Sequence, residues 1–196
     1  MARTKYGKTR TVKYRRKRES KTNYKKRLAL IKSGKDRLVI RKSLNIITVQ
    51  IVRYNPDGDK VLLTSTSKDL HKLGWKLHKA NLPSAYLTGL LLGTKAKAKG
   101  IEEAVIDLGL QIPIRGGRLF AALRGAIDSG LKITHSVEAL PSDERISGKH
   151  IEEFAKILKE DKARYEIQFS SYIKDGVDPQ SISKLFEDTK KKVSSQ

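Results

Sequence analysis

Eighteen of the 42 lysines and arginines, but only two of the 21 acidic residues, fall in the first 42 positions, which leaves +16 there and +5 on the other 154 residues. This is a cationic arm on a nearly ordinary body, not an even charged coat. A surplus of +21 calls for a polyanion nearby. The arm as far as Lys21 carries Arg3, Lys5, Lys8, Arg10, Lys13, Arg15, Arg16, Lys17, Arg18 and Lys21 against a single acid, Glu19. Beyond Val12 it has almost no apolar content and no periodicity. Such a segment cannot bury enough surface to offset the entropy of ordering its backbone, so it is expected to be disordered when free. Tyr6, Tyr14 and Tyr24 are interleaved with the cations, rings that can stack on unpaired bases or sugars while Arg and Lys take phosphates.

From Thr22 the pattern changes. Thr22 or Asn23 as N-cap, Leu28 and Ile31, and Gly34 as stop predict a short basic helix, which Leu28, Leu30 and Ile31 would dock onto the body. Arg37–Lys42 and Asn45–Tyr54 read as strands, the second alternating Ile47, Val49 and Ile51 with Thr48 and Gln50. The turn Asn55-Pro56-Asp57-Gly58 leads into a third strand, Lys60–Ser67, which completes an antiparallel meander. Ala85–Ala98 and Gly117–Ser129 read as helices, Ala104–Leu108 as a strand covered on both faces, and Leu131–His135 as a last strand. The expected fold class is therefore α/β: a mixed sheet of order β-β-β-α-β-α-β with helical cover. Ser136–His150 looks like a polar connection out of the domain. Helices follow over Ile151–Tyr172, with room for a break, and after the Asp178-Pro179 cap. The expected division is a basic arm and short helix at 1–34, a mixed-sheet domain at 35–135, and a linker with a C-terminal helical extension at 136–196.

The chemistry-bearing motifs are sparse. With no cysteine there is no disulfide framework, Cys-ligated zinc or thiolate nucleophile, and an intracellular compartment is expected. No apolar run approaches the roughly 18 to 20 residues of a membrane span, and no signal-peptide core follows Met1, so a soluble, untargeted chain is expected. Gly89-Leu-Leu-Leu-Gly93-Thr94-Lys95 fails the P-loop in both count and order, and its GxxxG spacing reads as close helix packing. Gly116-Gly117, flanked by Arg115 and Arg118, is either an anion cradle or a plain loop before a helix. The four histidines lack metal-ligand spacing, the adjacent carboxylates Glu102-Glu103 and Glu152-Glu153 point apart on a helix, and no GxSxG elbow is present. Neither an enzyme nor a cofactor is expected. Trp75 among leucines is read as core in preference to a stacking residue.

A flexible basic arm with tyrosines on a small sheet domain suits folded RNA better than duplex DNA. An A-form helix hides its major groove, so recognition falls on phosphates, 2′-OH groups and unstacked bases. Arg15, Arg16, Arg18 and Lys25 are assigned to phosphates, with Lys17 and Arg27 beside them; Tyr6, Tyr14 and Tyr24 to stacking or sugar contacts; Thr22 and Asn23 to polar contacts or capping. Arg41, Lys42 and Ser43, with Thr64, Ser65, Thr66, Ser67 and Lys68, form a second candidate surface, and Lys95, Lys97 and Lys99 a third. A DNA-compacting or architectural protein is the alternative, since the same arm would suffice electrostatically.

Three stretches carry a family resemblance. YRRKRESKTNYKKRLALIKSGKDRLVIRKS (Tyr14–Ser43), with the following NIITVQIV, resembles the opening of the archaeal and eukaryotic branch of the ribosomal protein L-eighteen family, whose eukaryotic member is called L-five. GRLFAALRGAIDSGL (Gly117–Leu131) resembles the last domain helix of that branch, and GKHIEEFAKILKEDKARYEIQFSSYIKDGVDP (Gly148–Pro179) its C-terminal extension. The long eukaryotic insert and the more basic eukaryotic C terminus are absent or shortened, so eukaryote-specific nuclear partners are not implied, and the chain most resembles an archaeal member. The resemblance implies a non-catalytic protein of the large ribosomal subunit in the cytoplasm that binds 5S ribosomal RNA and attaches it to the large-subunit ribosomal RNA in the central protuberance. The implied neighbours are other large-subunit proteins, with no membrane and no small-molecule substrate.

Overall fold

The computed structural model describes residues 12–195. Three strands, β1 (Arg37–Lys42), β2 (Ile47–Arg53) and β3 (Lys60–Thr66), form the expected antiparallel meander, and β4 (Val105–Asp107) adds to the far edge parallel to β1. The sheet is mixed, in the order β3-β2-β1-β4. The two-residue period sorts its side chains. Leu38 and Ile40 of β1, and Ile47, Val49 and Ile51 of β2, enter the core, while Arg37, Val39 and Arg41 take the opposite face.

Helix α3 (Leu82–Ala98) packs on β2 and β3 and α4 (Arg118–Asp128) on β1, making one helical layer on one face of the sheet. Helix α3 starts three residues before the predicted Ala85 because Asn81 caps it, its carboxamide accepting the Ser84 N–H at 2.9 Å, and Pro83 fits the first turn, where no donor is needed. Backbones of α3 and α4 nearly touch at glycines: a Cβ on Gly89 would stand 1.9 Å from the Ala122 carbonyl oxygen, and one on Gly125 2.1 Å from that of Tyr86. The GxxxG spacing is thus a packing device. Trp75 is buried and its indole N–H donates to the His78 carbonyl, which confirms it as core.

Two strand expectations need correction. Leu131–His135 is not a strand; it makes a single parallel bridge, Lys132 with Glu103. Just beyond, Nδ1 of His135 lies 2.7 Å from the Ile133 carbonyl, which occupies a group that a longer ladder would need. The stretch read as a doubly covered strand shrinks to β4, an edge strand whose three residues are all half-buried. Ile106 packs against the core, while Asp107 turns to the other face and accepts from Arg37.

That segment forms a helical turn, α1 (Arg15–Arg18), where an unstructured arm was expected, and then α2 (Tyr24–Lys32). The predicted apolar docking of α2 is at most partial: Leu30 and Ile31 are half-buried, none of its residues is fully buried, and Leu28 is 55% exposed. At the other end of the chain, within Ser136–His150, Pro141, Ile146 and Gly148 are buried. Helices α5 (Asp143–Ser147) and α6 (Lys149–Leu158), then α7 (Lys162–Gln168) and α8 (Ser170–Lys174), divide the predicted Ile151–Tyr172 helix at Lys159–Asp161 and again at Phe169. Asp178 caps a 3₁₀ turn, its carboxylate accepting the Gln180 N–H at 2.9 Å. Helix α9 (Ile182–Ser194) follows and sends Ile182, Phe186 and Val193 into the same core against α3.

Candidate nucleic-acid interface

The sheet face without helices is faced by the N-terminal segment across an open groove of about 640 Å³. One wall is Arg16, Lys21, Thr22, Asn23, Lys26 and Arg27, the floor is Arg37, Val39, Arg41, Gln50 and Val52, and the other wall is Asp107–Gln111. Local bonds shape the first wall. The Arg16 guanidinium donates to Thr22 Oγ1 at 2.9 Å, the Tyr14 and Tyr24 rings lie 5.1 Å apart at 44°, and Asn23 caps α2 by accepting the Lys26 N–H at 3.2 Å. Opposite, the Gln111 amide donates to the Ile40 carbonyl at 2.7 Å and accepts the Lys42 N–H at 3.0 Å. The side chain thus continues the β1 ladder where β4 ends.

What ties the first wall to the body is a chain of ions. Asp59 accepts from Arg27 at 2.9 Å through one oxygen and from Arg37 at 2.6 Å through the other, and Arg37 reaches Asp107 at 2.9 Å with its second terminal nitrogen. Arg37 is only 4% exposed. Removing one partner of a buried pair leaves the other charge uncompensated. Arg37→Ala is therefore expected to destabilise the fold by about 3 kcal/mol, read as a lowered urea midpoint with an unchanged slope, whereas Arg27→Ala, at the exposed end, should cost under about 1 kcal/mol. Equal midpoints for the two variants would remove Arg37 from its central place.

The two carboxylates of the groove neutralise Arg27 and Arg37, Lys21 pairs with Glu19 at 2.9 Å, and four of the seven cations lining the groove remain in surplus: Arg16, Lys26, Arg41 and Lys42. Such a concave cationic strip focuses potential and attracts phosphates. Residues 8–101 match the model of a family described as ribosomal large subunit proteins 60S L5 and 50S L18. Over these residues the chain is similar to this family of large-subunit ribosomal proteins. The match covers just under half of the chain and includes α1, α2, the meander and α3, hence most of the groove. The match supports an rRNA-binding component of the translation machinery, the matched family being one of ribosomal structural proteins and not of enzymes.

In this ribosomal protein the residues singled out from sequence divide clearly. Arg3, Lys5, Tyr6, Lys8 and Arg10 lie outside the described residues. Lys13, Arg15, Lys17, Arg18 and Lys25 are exposed beside the groove, not in it, and Lys21 and Arg15 share Glu19. Arg41 is exposed in the groove; Ser43 staples the β1–β2 turn through Ile46. Thr64 and Thr66 lie on the groove-side face, where Gln50 donates to Thr64 Oγ1 at 3.1 Å. Ser65 and Ser67 do not contribute: the strand period turns them into the protein, where both are buried and Ser67 Oγ accepts the Ile47 N–H. Lys68 is exposed just past the strand end.

Lys95, Lys97 and Lys99 sit at the C-terminal end of α3, in the helical layer and away from the groove, where cations complement the helix dipole. Lys99 donates to the Leu62 carbonyl at 3.3 Å. The anion cradle at Gly116-Gly117 is excluded, since both N–H groups already donate, to the Ala139 and Ile114 carbonyls at 2.9 and 3.0 Å. Arg118 is likewise engaged, with the Ala80 carbonyl at 2.8 Å, while Arg115 is exposed near Glu138. Sequence reading missed Lys26, Arg37, Gln50, Asp59, Asp107 and Gln111. Only Lys26 had a signal, its place in the basic helix. Among the described residues no group of three His, Asp or Glu side chains is placed to hold a metal ion.

Proposed function

We propose that this ribosomal protein binds 5S ribosomal RNA and fixes it to the large-subunit ribosomal RNA in the central protuberance, using residues 1–34 as a clamp against the open face of the sheet. The groove carries this reading: a cationic trough between arm and sheet suits the phosphates of a folded RNA strand. Arg16, Lys26, Arg41 and Lys42 take phosphates inside it, with Arg15, Arg18 and Lys25 along its outer edge. Tyr14, 72% exposed, offers a ring to an unstacked base or a sugar.

A titration of the purified chain against 5S ribosomal RNA, with duplex DNA of equal length as competitor from about 50 to about 300 mM salt, tests this. RNA preference is expected to persist at the high end, because shape-fitted contacts survive when counterion release weakens. Equal competition by DNA with a steep salt slope would reduce the arm to a polycation and discard the 5S assignment.

A further inference from the structure

Charge and apolar exposure together separate one part of the molecule from the rest. The stretch from Asp143 to Asp178 holds seven Lys and Arg against nine Asp and Glu, a net of −2 within a chain of +21. It contains α5 through α8. A phosphate backbone gains nothing by approaching such a surface.

The same unit carries more apolar surface than the protein covers. Phe169, 3% exposed, is the hub of a small aromatic cluster, with ring centroids 5.1 Å from Tyr165, 5.8 Å from Tyr172 and 6.4 Å from Phe154. On α6, Ile151, Ala155 and Leu158 point inward. At 3.6 residues per turn the apolar arc runs on from Leu158 through Phe154 to Ile157, about 100° further round. That flank is left open: Ile157 is 68% exposed and Phe154 45%. A surface helix whose apolar arc exceeds its intramolecular contact is built to meet a partner.

We infer that the α6 flank around Phe154 and Ile157 is a protein-docking surface, and that its occupant is a cationic, apolar-faced segment of another large-subunit protein. Net negative charge around an apolar strip selects a basic protein segment and disfavours RNA. The molecule is thereby bipolar, with its cationic groove toward RNA and its acidic helical end toward protein. This goes beyond the 5S reading and rests only on membership of the large subunit.

The test places the photocrosslinker p-benzoylphenylalanine at position 157 of the full chain, irradiates assembled large subunits and identifies what is attached. A crosslink to a net-positive segment of another large-subunit protein is the expected result. A crosslink to ribosomal RNA, a crosslink to a net-acidic segment, or no crosslink in assembled subunits overturns the inference. The same crosslinker at position 14 reports on the groove separately: if it fails to reach 5S ribosomal RNA, the proposed function fails and the docking surface is untouched. Because Ile157 is exposed, Ile157→Glu should leave the fold and 5S affinity unchanged within about twofold, yet release the protein from salt-washed subunits several-fold more readily. Equal retention of variant and wild type would count against docking.

Discussion

Deleting Met1–Lys21 is expected to weaken binding to 5S ribosomal RNA by about 10³-fold near 100 mM salt while leaving thermal unfolding of the body almost unchanged. The deleted stretch carries ten cations and one acid, including Arg16 of the groove wall and Tyr14 of the ring pair. If the intact protein neutralises roughly six to ten phosphates, its affinity should fall about 10³- to 10⁵-fold between about 50 and 200 mM salt. The truncated chain keeps Lys26, Arg41 and Lys42 and should show a distinctly shallower slope. Stability should hold because α1 buries no residue and, among the described residues, the core cluster begins at Leu38. Filter binding across salt, with a melting curve of the same sample, measures both. Unchanged affinity would mean that the groove residues from Thr22 onward hold the RNA without the arm, and a melting point lowered by more than about 5 °C would make the arm structural.

The largest effect on stability is expected at the α3–α4 crossing. Gly89→Val adds a branched side chain where even a Cβ would stand 1.9 Å from the Ala122 carbonyl oxygen, and the obstacle is backbone that no rotamer change can clear. The helices must part, and the core between them, including Leu90, Leu119 and Leu123, loses its packing. Overpacking in well-filled cores costs about 1 to 3 kcal/mol and occasionally more; direct contact with the Ala122 backbone puts this variant at or above the upper end. Ala98→Val, exposed at the end of the same helix, introduces the same side chain without the clash and, although it carries a helix-propensity penalty that Gly89→Val does not, should lose under about 1 kcal/mol. Denaturant midpoints of the pair isolate the packing effect. A Gly89→Val protein as stable as the Ala98→Val protein would mean that the helices are not in backbone contact.

Most element positions were legible before the structure because they rest on short-range patterns. The alternation in Ile47–Ile51, the turn at Asn55–Gly58 and the Asp178-Pro179 cap each depend on residues within a few positions of one another. Errors came where a distant group had the deciding vote. Ser65 and Ser67 look like surface hydroxyls until the pairing of β3 with β2 assigns their face. Gly116-Gly117 looks like an anion nest until the Ala139 carbonyl claims one N–H. Helix α2 looks as if Leu28 should dock it, but Leu28 is exposed, and Arg27 beside it bonds an aspartate 32 residues away.

The sequence by itself determined that a cationic arm precedes a small mixed α/β body, that the meander and two helices lie close to where they do, and that a polyanion is the partner. Those properties follow from composition and local periodicity, which survive without any knowledge of the fold. Only the tertiary structure decided which cations are surplus. Arg37 is matched by carboxylates 22 and 70 residues away, whereas Arg41, four positions on along the same strand, faces the open groove. Charge neutralisation acts through space over a few ångströms, and chain separations of that length carry no local signature of it.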